Sequence, residues 1–272
     1  MSSKTQNLPR DNMINRKSHE IATKYSVAAT ISNVTTWTLS GEDNGRSTIK
    51  THFLHSGIRA IIESGLGNFM SAFYENASFT SEQFGIMTGG TKRHGESFSK
   101  ALGKPFQSDL FISPASSDLP AIVISAKMPI LSIAKNETNY VNTVLGESAQ
   151  FFGSEENKHN FLVFFNIRQR KSYAKNKQNL SIERPTYSEV ARPDGFLHPD
   201  FKNSLSDIAY NRTRVVNIYF DWADDIDLSQ FKNIEDFAKA IEQHDTFGVD
   251  IPSIEMEGLS SLVEIIINSY KL

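Results

Sequence analysis

Two short apolar runs limit what this chain can fold into. Residues 121–127 (AIVISAK) and 160–167 (NFLVFFNI) are apolar at consecutive positions and rich in β-branched or aromatic side chains. Strands apolar on both faces belong at the centre of a sheet covered on both sides. Between them, residues 132–152 place Ile133, Tyr140, Val144 and Phe151 on one side at helical spacing. A short strand at 108–112 (SDLFI) leads through the turn SPASSDLP into 121–127, and 215–220 (VVNIYF) reads as a further strand. The expected fold class is α/β, a mixed central β-sheet flanked by α-helices.

The flanks read as helical additions. Residues 18–73 are largely helical, broken near 39–46 by LSGEDNGR, with Ile58, Ile61, Ile62, Leu66 and Phe69 in a helical stripe. Two C-terminal helices are expected near 229–244 and 253–270. Residues 85–95 read as a glycine-rich loop and 96–100 as the end of a helix. Residues 1–17 read as a flexible N-terminal arm, and 18–272 as a single domain with no dividing linker.

Composition removes several chemistries. With no cysteine there are no disulfides, thiolate zinc sites, iron–sulfur clusters or thiol catalysis, and a cytoplasmic setting is expected. The apolar runs are far too short to span a bilayer, so no membrane partner is expected, and the polar N-terminus lacks the apolar region of a signal peptide. A net charge of −3 does not suit passive coating of a polyanion, but leaves room for basic residues confined to one groove. The absence of G-x-x-x-x-G-K-[ST] removes a P-loop, so no nucleotide cofactor is expected, and there is no G-x-S-x-G elbow. His52 and His55 lack the spacing of a zincin helix and read as ordinary surface or core histidines.

The chemistry-bearing stretch is Asp109 through Lys127. An acid ends one strand and a lysine ends the next, so an antiparallel hairpin can set them side by side at one sheet edge. Phosphodiester hydrolysis uses such a pair: a carboxylate to hold Mg²⁺ and a lysine to steady charge developing on the phosphate. Taken alone, the same pattern fits a turn acid and a solvated strand-end lysine.

The hairpin and the string SAKMPILSIAKNETNYVNTVLGE resemble the strand–lysine–helix–Glu segment of the PD-(D/E)XK type II restriction endonucleases. The resemblance covers about 96–167 and implies a restriction-endonuclease-like catalytic core, a DNA-recognition insert at about 168–214, and C-terminal helices at 229–270. It places the family's metal-binding aspartate at Asp109 and its motif lysine at Lys127. Ser108 stands where the family has proline, and Ser125 where it has the acid two residues before the lysine. Members with Ser or Thr there recruit a glutamate from the next helix, which makes Glu147 and Glu137 candidates. Glu147 is preferred, because it flanks the stripe of Val144 and Phe151; Glu96, upstream of Asp109, is a third. The implied activity is Mg²⁺-dependent cleavage of double-stranded DNA at a short palindromic sequence by a homodimer. A repair, structure-selective or modification-dependent nuclease, or an inactive sequence-specific DNA-binding protein, remains open; Ser125 motivates the last.

Candidate DNA contacts follow. Residues 168–177 (RQRKSYAKNK) carry five positive charges and no acid, among them Arg168, Arg170, Lys171 and Lys175. Lys135, Asn136 and Asn139 open the helix after Lys127. Arg192 lies in the expected insert with Arg184, His198, Arg212 and Arg214. Lys92 and Arg93 follow Gly89 and Gly90 in a phosphate-contacting loop or an ordinary turn.

Overall fold

The computed structural model describes residues 10–39, 48–73, 86–88, 97–99, 105–112, 120–130, 133–170, 172–174, 177–181, 187–228, 230–231 and 233–270. The helices are α1 (Arg10–Leu39), α2 (Thr48–Phe73), α3 (Ile133–Phe152), α4 (Tyr187–Val190), α5 (Asp207–Arg212), α6 (Ile234–Glu242) and α7 (Leu259–Tyr270). The strands are β1 (Ile86–Thr88), β2 (Ser97–Ser99), β3 (Pro105–Gln107), β4 (Leu110–Ile112), β5 (Ile122–Lys127), β6 (Phe161–Gln169), β7 (Ser172–Ala174), β8 (Lys177–Ser181), β9 (Thr213–Phe220) and β10 (Glu255–Glu257).

A six-stranded mixed sheet in the order β1-β4-β5-β6-β9-β10 forms the centre. The strands β1, β4 and β5 run antiparallel, β5, β6 and β9 run parallel, and β10 returns antiparallel. The parallel trio is buried on both faces, which is why its sequence does not alternate. One face presents Ile122, Ile124, Val163, Phe165, Val216 and Ile218 to a core shared with α1, α2 and α7. The other presents Val123, Leu162, Phe164 and Val215 to Tyr140, Val144 and Phe151 of α3. Each fully buried aliphatic or Phe side chain contributes about 1.5–3 kcal/mol.

Close contacts fix the helices on the first face. Trp37 stacks on Phe53 at 5.8 Å, and Ser26 Oγ meets Ser64 Oγ at 3.3 Å. These pairings make α1 and α2 antiparallel neighbours. Between them Gly57 faces Thr30 so closely that a Cβ would lie 2.3 Å from its side chain, so only glycine permits the approach. In α7, Leu262, Val263 and Ile266 are buried in the same core, so this apolar stripe is spent within the protomer. Among the described residues, no helix is long and apolar enough to cross a membrane.

Several expectations need correction. Helix α1 begins at Arg10, so residues 10–17 are helical rather than a flexible arm. The segment 86–88 is a strand paired with β4 instead of part of a glycine-rich loop. Ser97–Ser99 is a strand paired with β3, where a helix end was expected. In both cases a three-residue strand takes its stability from its partner strand, which so short a pattern does not reveal. Strand β6 continues to Gln169, so Arg168 lies in the sheet and not in a basic loop. The expected insert at 168–214 holds β7, β8, α4 and α5 and runs into β9.

Candidate functional site

Strands β4 and β5 form the expected antiparallel hairpin, with Leu110 opposite Ile124. Asp109 sits just before β4, and its backbone N–H donates to Ile124 O at 3.0 Å. The next N–H of β5 facing this edge belongs to Ala126, and it donates to Asp109 Oδ2 at 2.7 Å. The carboxylate thus stands where the next ladder carbonyl would have been. From the other side, His55 of α2 brings Nε2 to 3.5 Å from Asp109 Oδ1.

Burial works to raise the pKa of Asp109. The His55 contact, the Ala126 N–H and the nearby charges of His55 and Lys127 outweigh it and hold the carboxyl below its ordinary value. Asp109 is therefore ionised at neutral pH, with a third of its side chain exposed (32%). Among the described residues the Ala126 N–H and His55 meet the carboxylate, fewer than the lone pairs it carries. Lys127 ends β5, half-buried and close enough to Asp109 for its charge to matter. The sequence-expected pair is brought together, and His55 joins it from fifty-four residues upstream.

A polar row extends from Lys127 across the sheet. Lys127 pairs in register with Asn166, Asn166 with Asn217, and Asn217 with Glu257. Asn166 Nδ2 donates to Asn217 Oδ1 at 3.0 Å and to the hydroxyl of Tyr140 on α3. Ser125 is buried two positions before Lys127, on the face that α3 covers.

Those contacts decide between the helix glutamates. Tyr140 meets Asn166, level with Lys127, so this end of α3 lies over the candidate site. Ser148 instead meets Thr213 at 3.2 Å, and Thr213 pairs with Leu162, four strand positions before Asn166. Glu147 is therefore about 10 Å along the helix from Tyr140, toward the wrong end of the sheet. Glu137, one turn before Tyr140, is at the right end. The preference for Glu147 is corrected: the apolar stripe identified the buried face of α3, not which end of it approaches Lys127.

The basic candidates separate in the same way. Arg168 is fully buried with its guanidinium 5.3 Å from the Tyr219 ring, so it is not an exposed DNA contact. Arg170 pairs with Asp221 at 2.9 Å and Glu255 at 3.1 Å, tying β6 to β9 and β10, and its charge is already matched. Arg192 remains 43% exposed and pairs with Asp194 at 2.8 Å. Asn139 is exposed near the start of α3. Lys135 and Asn136 fall in the first turn of α3, with side chains outside what is described. Glu96, Lys92, Arg93, Lys171 and Lys175 lie outside the described residues.

Among the described residues, no group of three or more His, Asp or Glu side chains forms a ready metal cage. Magnesium needs less than a cage: it binds through one or two carboxylates and keeps several waters. An ionised, part-exposed Asp109 offers one such carboxylate, and Glu137 lies at the end of α3 that is level with Lys127. Comparison with protein-family models, curated proteins and solved structures gave no match for this chain.

Proposed function

We propose that this protein is a magnesium-dependent DNA endonuclease of the PD-(D/E)XK type, cutting duplex DNA at a short sequence in the manner of a type II restriction enzyme. The observation that carries the reading is an ionised Asp109 with the charge of Lys127 nearby, at one end of the β4–β5 hairpin. Support also comes from the hairpin followed by a helix that the resemblance implied, with β6 lying beside β5 after it.

Asp109 and Glu137 would hold the magnesium ion, which supplies polarisation of the phosphate and a more acidic bound water. Lys127 places a positive charge where negative charge develops on the scissile phosphate. The Ala126 N–H and His55 fix the rotamer of Asp109, so its carboxylate needs little reorganisation. Two copies acting on a palindrome would form a two-fold dimer.

A second reading has its own support. Ser125 replaces the motif acid, and a specific DNA-binding protein that no longer cuts would tolerate that loss. Incubating the wild-type protein with a mapped plasmid and Mg²⁺ separates the two. Discrete fragments, absent in EDTA, are expected of the nuclease. Sequence-specific retention of DNA with no cleavage in Mg²⁺ or Mn²⁺ would favour the second reading and sink the first.

A further inference from the structure

At the opposite end of the parallel strands, three arginines interleave with two phenylalanines. Phe161 opens β6, Arg214 lies in β9 beside Val163, and Phe196 bridges to Arg214 from the turn after α4. The Arg212 guanidinium carbon lies 4.6 Å from the Phe161 ring centroid. That of Arg214 lies 5.9 Å from Phe161 and 4.1 Å from Phe196, and that of Arg192 lies 5.3 Å from Phe196. The order is Arg192–Phe196–Arg214–Phe161–Arg212, a continuous cation–π series.

The charges in this series are poorly matched. Arg192 has Asp194 as its carboxylate partner. Arg212 donates to His159 O at 3.0 Å, and Arg214 to Asn211 O at 2.7 Å and Thr213 O at 2.9 Å. These are backbone carbonyls, and no carboxylate among the described residues pairs with Arg212 or Arg214. Burial pushes the pKa of Arg214 down to about 10, with the charges of Arg212 and Arg192 adding to it and Asp194 opposing. An anion arriving here would relieve that repulsion.

We propose that this Arg–Phe series is a contact site for the phosphodiester backbone of a nucleic acid, separate from the Asp109–Lys127 end. Phe161 is level with Ile122, five strand positions before Lys127, which is about 16 Å along the sheet. One duplex can meet both places only by lying along the strands or across two protomers. One feature favours nucleic acid over an acidic peptide. The arginine forks suit phosphate and carboxylate oxygens alike, and that of Arg192 already holds both oxygens of Asp194. Phe196, 38% exposed, adds a flat apolar surface on which a sugar or base can rest. The site rests on the nuclease reading only in taking DNA as the polyanion.

The test is fluorescence anisotropy of labelled duplexes with the full-length protein in EDTA over a salt series. Wild type is compared with Arg212→Gln, Arg192→Gln and Phe196→Ala, and melting curves check folding. Arg212→Gln is expected to weaken binding about eightfold at 0.1 M salt, on every duplex sequence, and to lower the salt slope by about one; Arg192→Gln, whose charge Asp194 already offsets, lowers both by less. If Arg212→Gln unfolds, Arg192→Gln and Phe196→Ala carry the test on the exposed part of the series. Unchanged affinity and slope in the folded variants overturn the site, and if wild type still cuts in Mg²⁺ the nuclease reading survives. Arginine-dependent binding by a wild type that never cuts does the reverse. Polyglutamate displacing the probe as well as unlabelled DNA of equal charge overturns the assignment to nucleic acid. So does inorganic phosphate raising the wild-type melting temperature, but not that of Arg212→Gln, while duplex affinity is the same in both.

Discussion

Asp109 caps the end of the β4–β5 ladder, so replacing it tests structure and chemistry together. Asp109→Ala removes a charged acceptor from the Ala126 N–H, a bond of 2.7 Å. Hydrogen bonds to charged groups contribute about 1.5–3 kcal/mol. Because a third of the Asp109 side chain is exposed (32%), water can reach the vacated position, and the lower part of that range applies. A loss of about 1.5–2 kcal/mol lowers Tm by roughly 3–8 °C. Asp109→Asn keeps an acceptor of the same shape and should cost about 1 kcal/mol. The sign with pH follows from the lowered pKa of the folded carboxyl. Its stabilisation is fully present above the unfolded Asp pKa of about 3.9 and is lost as pH falls through the lower folded value. The gap between wild type and Asp109→Asn should therefore hold from pH 7 to about 5 and close in stronger acid. Urea unfolding followed by circular dichroism, in EDTA from pH 7 to pH 3, measures both. An Asp109→Ala protein within a few tenths of a kcal/mol of wild type, or a gap that widens in acid, would refute the capping role.

Other consequences are equally specific. Glu137→Gln should lower cleavage at least by the 10–100-fold associated with outer partners of a metal site, whereas Glu147→Gln should leave the initial rate unchanged. Arg170→Met should lower Tm, because it removes the cation that Asp221 and Glu255 face, yet leave duplex affinity within twofold in an anisotropy titration. At Gly258, φ is +80° and a Cβ would lie 2.5 Å from Val215 O and 2.8 Å from Gly195 Cα. Gly258→Ala should therefore cost more than the roughly 1–3 kcal/mol of backbone strain alone, read from the urea midpoint. Phe165→Ala, in the middle of β6 and fully buried, should cost about 3–5 kcal/mol by the same assay.

The sequence carried the parallel centre of the fold because burial on both faces writes itself into consecutive residues. Strands β5, β6 and β9 and helix α3 lie within two residues of where the pattern put them. The break between the two N-terminal helices was also readable, from the turn residues at 39–46. Strands β1 and β2 were not, since three-residue strands have too little pattern of their own. At the candidate site, Asp109 and Lys127 are close in sequence and their proximity follows from one hairpin. His55 had no signal: a histidine on an apolar helix meets an aspartate only because α2 crosses that edge of the sheet. The position of the glutamate was hidden for a related reason. Helical periodicity gives the buried side of α3, but only Tyr140–Asn166 and Ser148–Thr213 give its position along the strands. The basic run at 168–177 misled at Arg168 and Arg170 because charge counted along a chain does not reveal which cations are buried or already paired.

The most direct measurement of the nuclease proposal is cleavage of a mapped linear DNA in Mg²⁺ by wild type, Asp109→Asn and Lys127→Met, with duplex binding by each protein measured in parallel. Wild type should give a fixed set of fragments, and neither variant should give any, while both still bind the duplex. Fragments from either variant at the wild-type rate would contradict the assignment of Asp109 and Lys127 as the reacting centre.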